Sequence, residues 1–412
     1  MTATFEGHDR GDEDYRRVVL ALFAAGFATF AQIFDAQAVL PALARDLDVA
    51  PATAALSVSA TTTGLAASVL VWAAVSDRVG RTRAMAWSLT AATVLSLVAP
   101  LVPGLGAVIA LRALTGVALG AVPAVAMAYL NEEVSRAWVP VAAGTYIAGN
   151  TIGGIVGRLV AGPVSEAVGW RAGLLAVAVV CAGSTVVFWR VVPVPRGFRP
   201  PTDRVSAVRR AARHLRTPAL ATTYLAGFCL MGAFATVYNY VGFRVSGPPF
   251  GVPVTWVSLL FAVYVFGTVA SRTSGVLARR HGAPRVVACG GAAVLVALPL
   301  LAADHLVVVV LGLAVFTVGI FLAHPVTSAL SGQLASVGRA QSTALYQLSW
   351  LAGTALVGWA AGHVYDDRGW PATLLVVAGL VVVAVAAVVA GQRPPRDVTP
   401  GSGPDGPRAP SS

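Results

Sequence analysis

The chain has 412 residues, of which 57% are hydrophobic and only 11% charged, a balance far outside that of a soluble globular protein. Its formal net charge of +11 rests on arginine alone, and the arginines gather in the connections between apolar stretches. That placement excludes a nucleic-acid partner and reads as membrane topology.

Residues 1–17 are polar and acidic, and the apolar run after them is too long for a signal-peptide core, so it is expected to stay as a first helix. Stretches able to cross ~30 Å of hydrocarbon then fall near 18–42, 52–75, 84–102, 106–129, 139–162 and 170–192. A second set falls near 218–242, 253–277, 286–303, 305–329, 340–362 and 371–391. The reading is all-α and integral to the membrane, with twelve transmembrane helices in two six-helix bundles, 18–192 and 218–391. With the N-terminus inside, 22 arginines lie in cytoplasmic segments and four, Arg45, Arg171, Arg244 and Arg368, in external ones. The positive-inside rule then puts both termini in the cytoplasm of a cell whose inner, or plasma, membrane holds the protein.

In the first helix, Asp35 is the one carboxylate inside an apolar run. A charge at the bilayer centre costs ~2.5–3.5 kcal/mol on insertion scales, so it marks a functional site, most often one of transport. At 100° per residue Asp35 falls with Gln32 on a small, polar face, and Phe23, Phe27, Phe30 and Phe34 form a separate stripe read as lipid contact or packing. Arg112, in the fourth helix, lies at the depth of Asp35, so the two are expected to meet and to serve proton coupling. An opposite charge favours the ionised carboxylate and burial the neutral acid, so a pocket that opens and closes could switch its protonation. The competing reading is a permanent structural ion pair.

The connection Ser76-Asp77-Arg78-Val79-Gly80-Arg81-Thr82-Arg83 has a counterpart in Ala278-Arg279-Arg280-His281-Gly282-Ala283-Pro284-Arg285. Glu132 and Glu133, beside Arg136, read as exposed charge. In the fifth helix Gly149, Gly153 and Gly157, with Gly154 beside them, offer a face for close helix packing. Arg158 and Arg272 are expected to snorkel toward the nearer interface. Cys181, Cys229 and Cys289 read as small packing residues. Residues 193–217, rich in proline and arginine, read as a cytoplasmic linker with a short amphipathic helix from Val205 to Leu215, and the tail 392–412 as disordered.

At a shift of 200 residues Tyr146 matches Tyr346, Gly153 matches Gly353, Gly162 matches Gly362 and Gly169-Trp170 matches Gly369-Trp370, so the halves are repeats. Parallel repeats about an axis along the membrane normal, with a site between them, are a secondary-transporter architecture.

Three motifs resemble the major facilitator superfamily, over about residues 15–392, and within it the drug:proton antiporters and arabinose-efflux-type permeases. The loop signature reads Ala73-Ala74-Val75-Ser76-Asp77-Arg78-Val79-Gly80-Arg81-Thr82, with alanine for its first glycine. Arg112-Ala113-Leu114-Thr115-Gly116 stands for the helix-four motif and Gly149-Asn150-Thr151-Ile152-Gly153-Gly154 for the antiporter motif, with asparagine for proline. Phe34 to Pro41, Ala128 to Val134 and Phe321 to His324 also look like the arabinose-efflux branch. The resemblance implies the major facilitator fold, its bundles related by a pseudo-two-fold along the membrane normal, and alternating access. It also implies a cytoplasmic gate at Asp77, Arg78, Gly80 and Arg81, with Asp77 capping the eleventh helix near Arg339.

Polar groups inside apolar runs must face protein or a wet cavity, which nominates Gln32, Tyr146, Asn150, Tyr238, Asn239, Tyr264, Tyr346 and Gln347 for a substrate cavity and leaves His324 as structural. The expected function is secondary active transport of a small organic solute, by proton-coupled efflux. With one buried acid and an apolar, aromatic interior, amphipathic or weakly cationic compounds are favoured over sugars. The alternatives are a sugar-efflux permease or an uncoupled facilitator. No nucleophile cluster supports an enzyme and no filter or charge ring supports a channel, and neither a cofactor nor a metal is expected. The partners are the solute, protons and the bilayer, and the protein is expected to be a monomer.

Overall fold

The computed structural model describes residues 5–198, 213–335 and 339–392. The linker helix from Val205 to Leu215 and the tail beyond Gln392 therefore lie mainly outside the described residues. Ten apolar helices come first: α1 (Glu13–Ala38), α2 (Pro51–Val79), α3 (Arg81–Leu101), α4 (Leu105–Glu133), α5 (Val139–Val168), α6 (Trp170–Val191), α7 (Pro218–Ser246), α8 (Val254–His281), α9 (Ala283–Ala302) and α10 (Leu306–Gln333). An eleventh segment, Gln341–Gly391, is 51 residues long and breaks at Gly369, whose φ of 72° and ψ of −173° no helix accommodates. It is two spans, α11 (341–368) and α12 (370–391), which completes the expected twelve.

Several helices overrun their apolar cores. α5 runs to Val168, and α10 to Gln333, because hydrogen bonding along a helix continues past the residues that hydrocarbon requires. α1 behaves differently: its last turn tightens to a 3-10 helix over Asp35–Ala38, and a separate short helix, Leu40–Asp46, leads to α2. Other interruptions fall at Gly120 within α4, over Phe261–Val263 in α8 and, as a π turn, over Gly353–Val357 in α11. Such irregular turns inside long helices often mark functional sites.

Glycine faces lock each half. A Cβ on Gly149, Gly153 or Gly157 of α5 would strike the backbone of Phe23, Phe27 or Ala31 in α1. In the other half a Cβ on Gly353 of α11 would strike the backbone of Phe228 in α7. The halves thus repeat one contact at matched positions. They also repeat a turn: Gly80 and Gly282, with φ of 95° and 85°, sit in the two matched connections at positions an L side chain rarely adopts. Trp170 and Trp370 fall at matched ends too, their Nε1 donating to Asp46 Oδ2 at 2.7 Å and to Leu301 O at 2.8 Å.

Outward-facing positions stay apolar, among them Leu70, Val71, Val186, Phe266, Leu311 and Leu375. A surface of this kind suits lipid rather than water. Cys181 and Cys229 are buried as expected, whereas Cys289 is exposed on α9 and fills no core gap. Below, the near end of the bundle is the one bearing the N-terminal segment and the α6–α7 connection, and the far end is opposite.

The glycine contacts carry a direct test. Gly153→Val must displace the α1 backbone, at a cost of at least ~1–3 kcal/mol for overpacking, and is expected to lower the melting temperature in detergent and broaden the size-exclusion profile. Gly144→Ala, on the same helix with no atom within 4 Å of the added carbon, should melt at or above the wild-type temperature. Equal melting of Gly153→Val and wild type would contradict the α1–α5 packing.

Candidate functional site

The 3-10 turn at the end of α1 presents two polar side chains, Asp35 and Gln37, to different partners. Asp35 accepts on Oδ1 from Arg112 Nη1 at 2.8 Å and from the Ala36 N–H at 2.7 Å. Ala36's acceptor in a regular α-helix would be Gln32 O, and that carbonyl accepts instead from Arg112 Nη2 at 3.3 Å. Arg112 Nε donates to Ser57 O in α2 at 2.8 Å. The expected meeting of Asp35 and Arg112 is thus present, wholly buried and held by three helices.

Two residues on, Gln37 bridges the halves. Its Nε2 donates to Asn239 Oδ1 of α7 at 2.7 Å, while its Oε1 accepts from Arg158 Nε at 2.9 Å and Nη2 at 2.6 Å. Arg158 Nη1 donates to Gly154 O at 2.7 Å. The guanidinium lies 4.7 Å from the ring centre of Phe34, 5.1 Å from Phe261, 5.7 Å from Tyr264 and 5.9 Å from Tyr238. Three of those four rings come from the other half. Among the described residues no carboxylate oxygen lies within 4.0 Å of it.

Arg158 does not snorkel, and its side chain is only 1% exposed. Because α5 extends to Val168, the residue sits well inside its helix, one turn past Gly154 on the face turned toward α1 and the other half. Of the two roles expected of its stripe, lipid contact or packing, Phe34 takes packing, buried and forming one wall around Arg158. Gln37, Arg158, Phe34 and Phe261 were not nominated from the sequence. The available signals were the i+4 spacing of Arg158 from Gly154 and the i+2 spacing of Gln37 from Asp35.

Of the nominated cavity residues, Tyr238, Asn239 and Tyr264 gather around this centre. The Tyr238 hydroxyl and Thr317 Oγ1 are 2.7 Å apart, and Tyr264 packs edge-on to Phe321 at 4.8 Å. Gln32 instead serves packing within the first half, accepting from Ser96 Oγ at 2.8 Å and donating to Ala28 O at 3.0 Å. Tyr146 and Asn150 line the α1–α5 contact, with Asn150 Oδ1 buried and unpartnered. Tyr346 and His324 form a separate group in the second half, joined at 2.9 Å between the hydroxyl and Nδ1 and flanked by Trp350. Gln347 is half-buried.

At the near end Arg81 donates to Asp77 Oδ1 at 2.6 Å, to Ser76 Oγ at 2.7 Å and to Glu132 at 3.0 Å. Asp77 is thus held by Arg81, and the residues just before Arg339, where the expected cap would form, fall outside the described residues. Arg78 is exposed beside it. Glu133 is not exposed charge: it is fully buried and accepts from the N–H groups of Arg196 and Gly197 at 2.9 and 2.7 Å, pinning the chain after α6. Glu132 is also drawn inward by Arg81, while Arg272 is exposed.

The halves touch through hydrogen bonds on one side. Glu166 Oε2 accepts from the Thr255 N–H at 2.7 Å and Asp366 Oδ2 from the Ala52 N–H at 3.2 Å, both at the far end. With Gln37 to Asn239 these are the side-chain hydrogen bonds between halves among the described residues. The far seam is closed.

A profile of the Major Facilitator Superfamily matches residues 18–272 and 246–412. The chain is 33% identical over 377 residues to the inner membrane transport protein YnfM of Escherichia coli K12, covering 91% of this chain and 90% of that one. It is 32% identical over 377 residues to the uncharacterized MFS-type transporter YybF of Bacillus subtilis 168, covering 91% and 93%. The fold is similar to a crystal structure of a variant of the nucleoside transporter NupG, with a TM-score of 0.75 at 16% identity, covering 91% of this chain and all of that one.

The bridge is testable by substitution. Gln37→Leu removes the acceptor of two Arg158 N–H groups and the donor to Asn239, and is expected to cost ~1.5–3 kcal/mol, the scale of a hydrogen bond to a charged group, read as a lower melting temperature. Gln37→Glu, which keeps an acceptor there, should melt well above Gln37→Leu. Identical melting of the two variants would contradict the bridging role.

Proposed function

The chain belongs to the Major Facilitator Superfamily, whose members are membrane transporters rather than enzymes, and on that premise we propose that it exports a small organic solute in exchange for protons. The buried pair Asp35–Arg112, on the turn that also carries the inter-half bridge, is the observation that supports this reading most. An intramembrane acid is functional by default, and here its neutralisation has a mechanical outlet. A proton on Asp35 removes the charge that holds Arg112, releases the Asp35–Ala38 turn and thereby loosens Gln37 from Arg158 and Asn239.

Alternating access then follows from the asymmetry of contacts. The far seam is closed by Glu166–Thr255, Asp366–Ala52 and Gln37–Asn239, and the two glycine-locked halves rock about the centre. In this scheme the near end is the cytoplasmic one, as the positive-inside reading of the arginines expects, and a closed far seam belongs to the inward-facing arrangement. When the near end shuts, the start of α11 approaches the Asp77–Arg81–Glu132 cluster, which acts as its latch. Efflux and proton antiport rest on the motif resemblance to the drug-antiporter and arabinose-efflux branch, with Gly149-Asn150 in place of the usual glycine-proline. The protein works as a monomer in the plasma membrane.

One observation favours a second reading, an uncoupled facilitator. Arg112 is satisfied by Asp35, Ser57 and Gln32 together, as a permanent strut would be. Asp35→Asn in proteoliposomes separates the two. Loss of flux driven by a pH gradient, with solute counterflow retained, is the expected outcome. Undiminished gradient-driven flux in that variant would remove Asp35 from coupling and leave the strut.

A further inference from the structure

Arg158 is a buried cation with no carboxylate in ion-pair contact among the described residues. On the scale of a 30-residue helix, ~45 Å long, it sits ~7 Å beyond the middle of α5, still at membrane depth, and a charge at the bilayer centre costs ~2.5–3.5 kcal/mol. Its five N–H groups make three hydrogen bonds, all to neutral oxygens, and four aromatic faces supply the rest of its surroundings. The groups nearby are short of acceptors rather than donors. Asn239 Nδ2 is buried without a partner, and the Tyr264 ring stands 5.7 Å from the guanidinium. Asp35, the single carboxylate at this depth, is committed to Arg112.

We propose that Arg158 anchors an oxyanion on the transported solute, so that the substrate class is an aromatic or apolar carboxylate or phosphate monoester rather than a cation. The inference rests on the transport reading above and names its substrate. An oxyanion entering from the near end takes the place of Gln37 Oε1 on Nε and Nη2, where a planar two-oxygen group matches the guanidinium fork. Asn239 Nδ2 and Tyr264 supply further donors, and Phe34, Phe261 and Tyr238 cover the apolar remainder. Gln37, once displaced, frees the turn that holds Asp35, which ties solute binding to the proton site. A weakly cationic compound would meet a like charge with no free carboxylate to offset it.

The test uses the full-length protein in detergent and in proteoliposomes, with benzoate, salicylate, phthalate and phenyl phosphate as oxyanions and benzamide and benzylamine as neutral and cationic isosteres. Thermal stabilisation by oxyanions alone is expected, with affinity reduced about tenfold or more in Arg158→Gln and by less in Arg158→Lys, which keeps the charge and loses the two-pronged fork. No stabilisation by any oxyanion at ~10 mM, ten times the upper end of usual KM values, overturns the proposal. So does stabilisation by the amine or amide, or an Arg158→Gln variant that binds oxyanions as the wild type does. If Arg158→Gln does not fold, the charge selectivity of the wild type and of Arg158→Lys decides. Saturable counterflow is the separate check on transport: oxyanion binding without counterflow would refute the transport reading while leaving the anion site in place.

Discussion

The structure is organised around the cost of holding three ionised groups, Asp35, Arg112 and Arg158, at hydrocarbon depth. Two of them offset each other at 2.8 Å, and the third is held by amide and carbonyl oxygens and aromatic faces. One four-residue turn, Asp35–Ala38, touches both arrangements. Anything that changes the charge on Asp35 or the occupant of Arg158 must therefore act on the same short segment, and that segment carries the hydrogen bond to the second half. Local electrostatics and the inter-half seam are one system.

Rigidity is distributed so that this system can act. Within each half, helix backbones meet directly through glycines, as Gly153 does on Phe27 and Gly353 on Phe228, and such contacts have no slack. Between halves three side-chain hydrogen bonds occur among the described residues, two at the far end and one at the centre. Two stiff bodies joined by a sparse polar seam move against each other at lower cost than either deforms. Of the irregular turns, the one in α1 bears directly on Arg112: it takes the Ala36 N–H away from Gln32 O, which then accepts from the guanidinium.

Much of this was legible in the sequence because hydrocarbon imposes length and polarity limits that are easy to read. Twelve spans, the repeat at a shift of 200 residues and the Asp35–Arg112 meeting follow from apolar run length, glycine matches and rise per residue. Side-chain direction was less legible. Arg158 was read by its distance from the end of an apolar run, but α5 extends past that run to Val168, so the guanidinium points into the seam. Phe34 was assigned by its stripe, yet its ring lies under the arginine. Glu133 read as solvent-exposed because no sequence pattern reveals that the chain near Arg196 folds back onto it. In each case the deciding fact is a contact between distant segments, which periodicity within one helix does not encode.

The central claim is that neutralising Asp35 opens the far seam. Spin labels at Arg45 and Arg368, exposed positions on opposite halves at the far end, allow the separation to be measured by pulsed electron resonance in acidic and in alkaline buffer. The account predicts a longer-distance population that grows on acidification and, in Asp35→Asn, is present at both pH values. A distance distribution unchanged by pH in the wild type, and the same in Asp35→Asn, would contradict it.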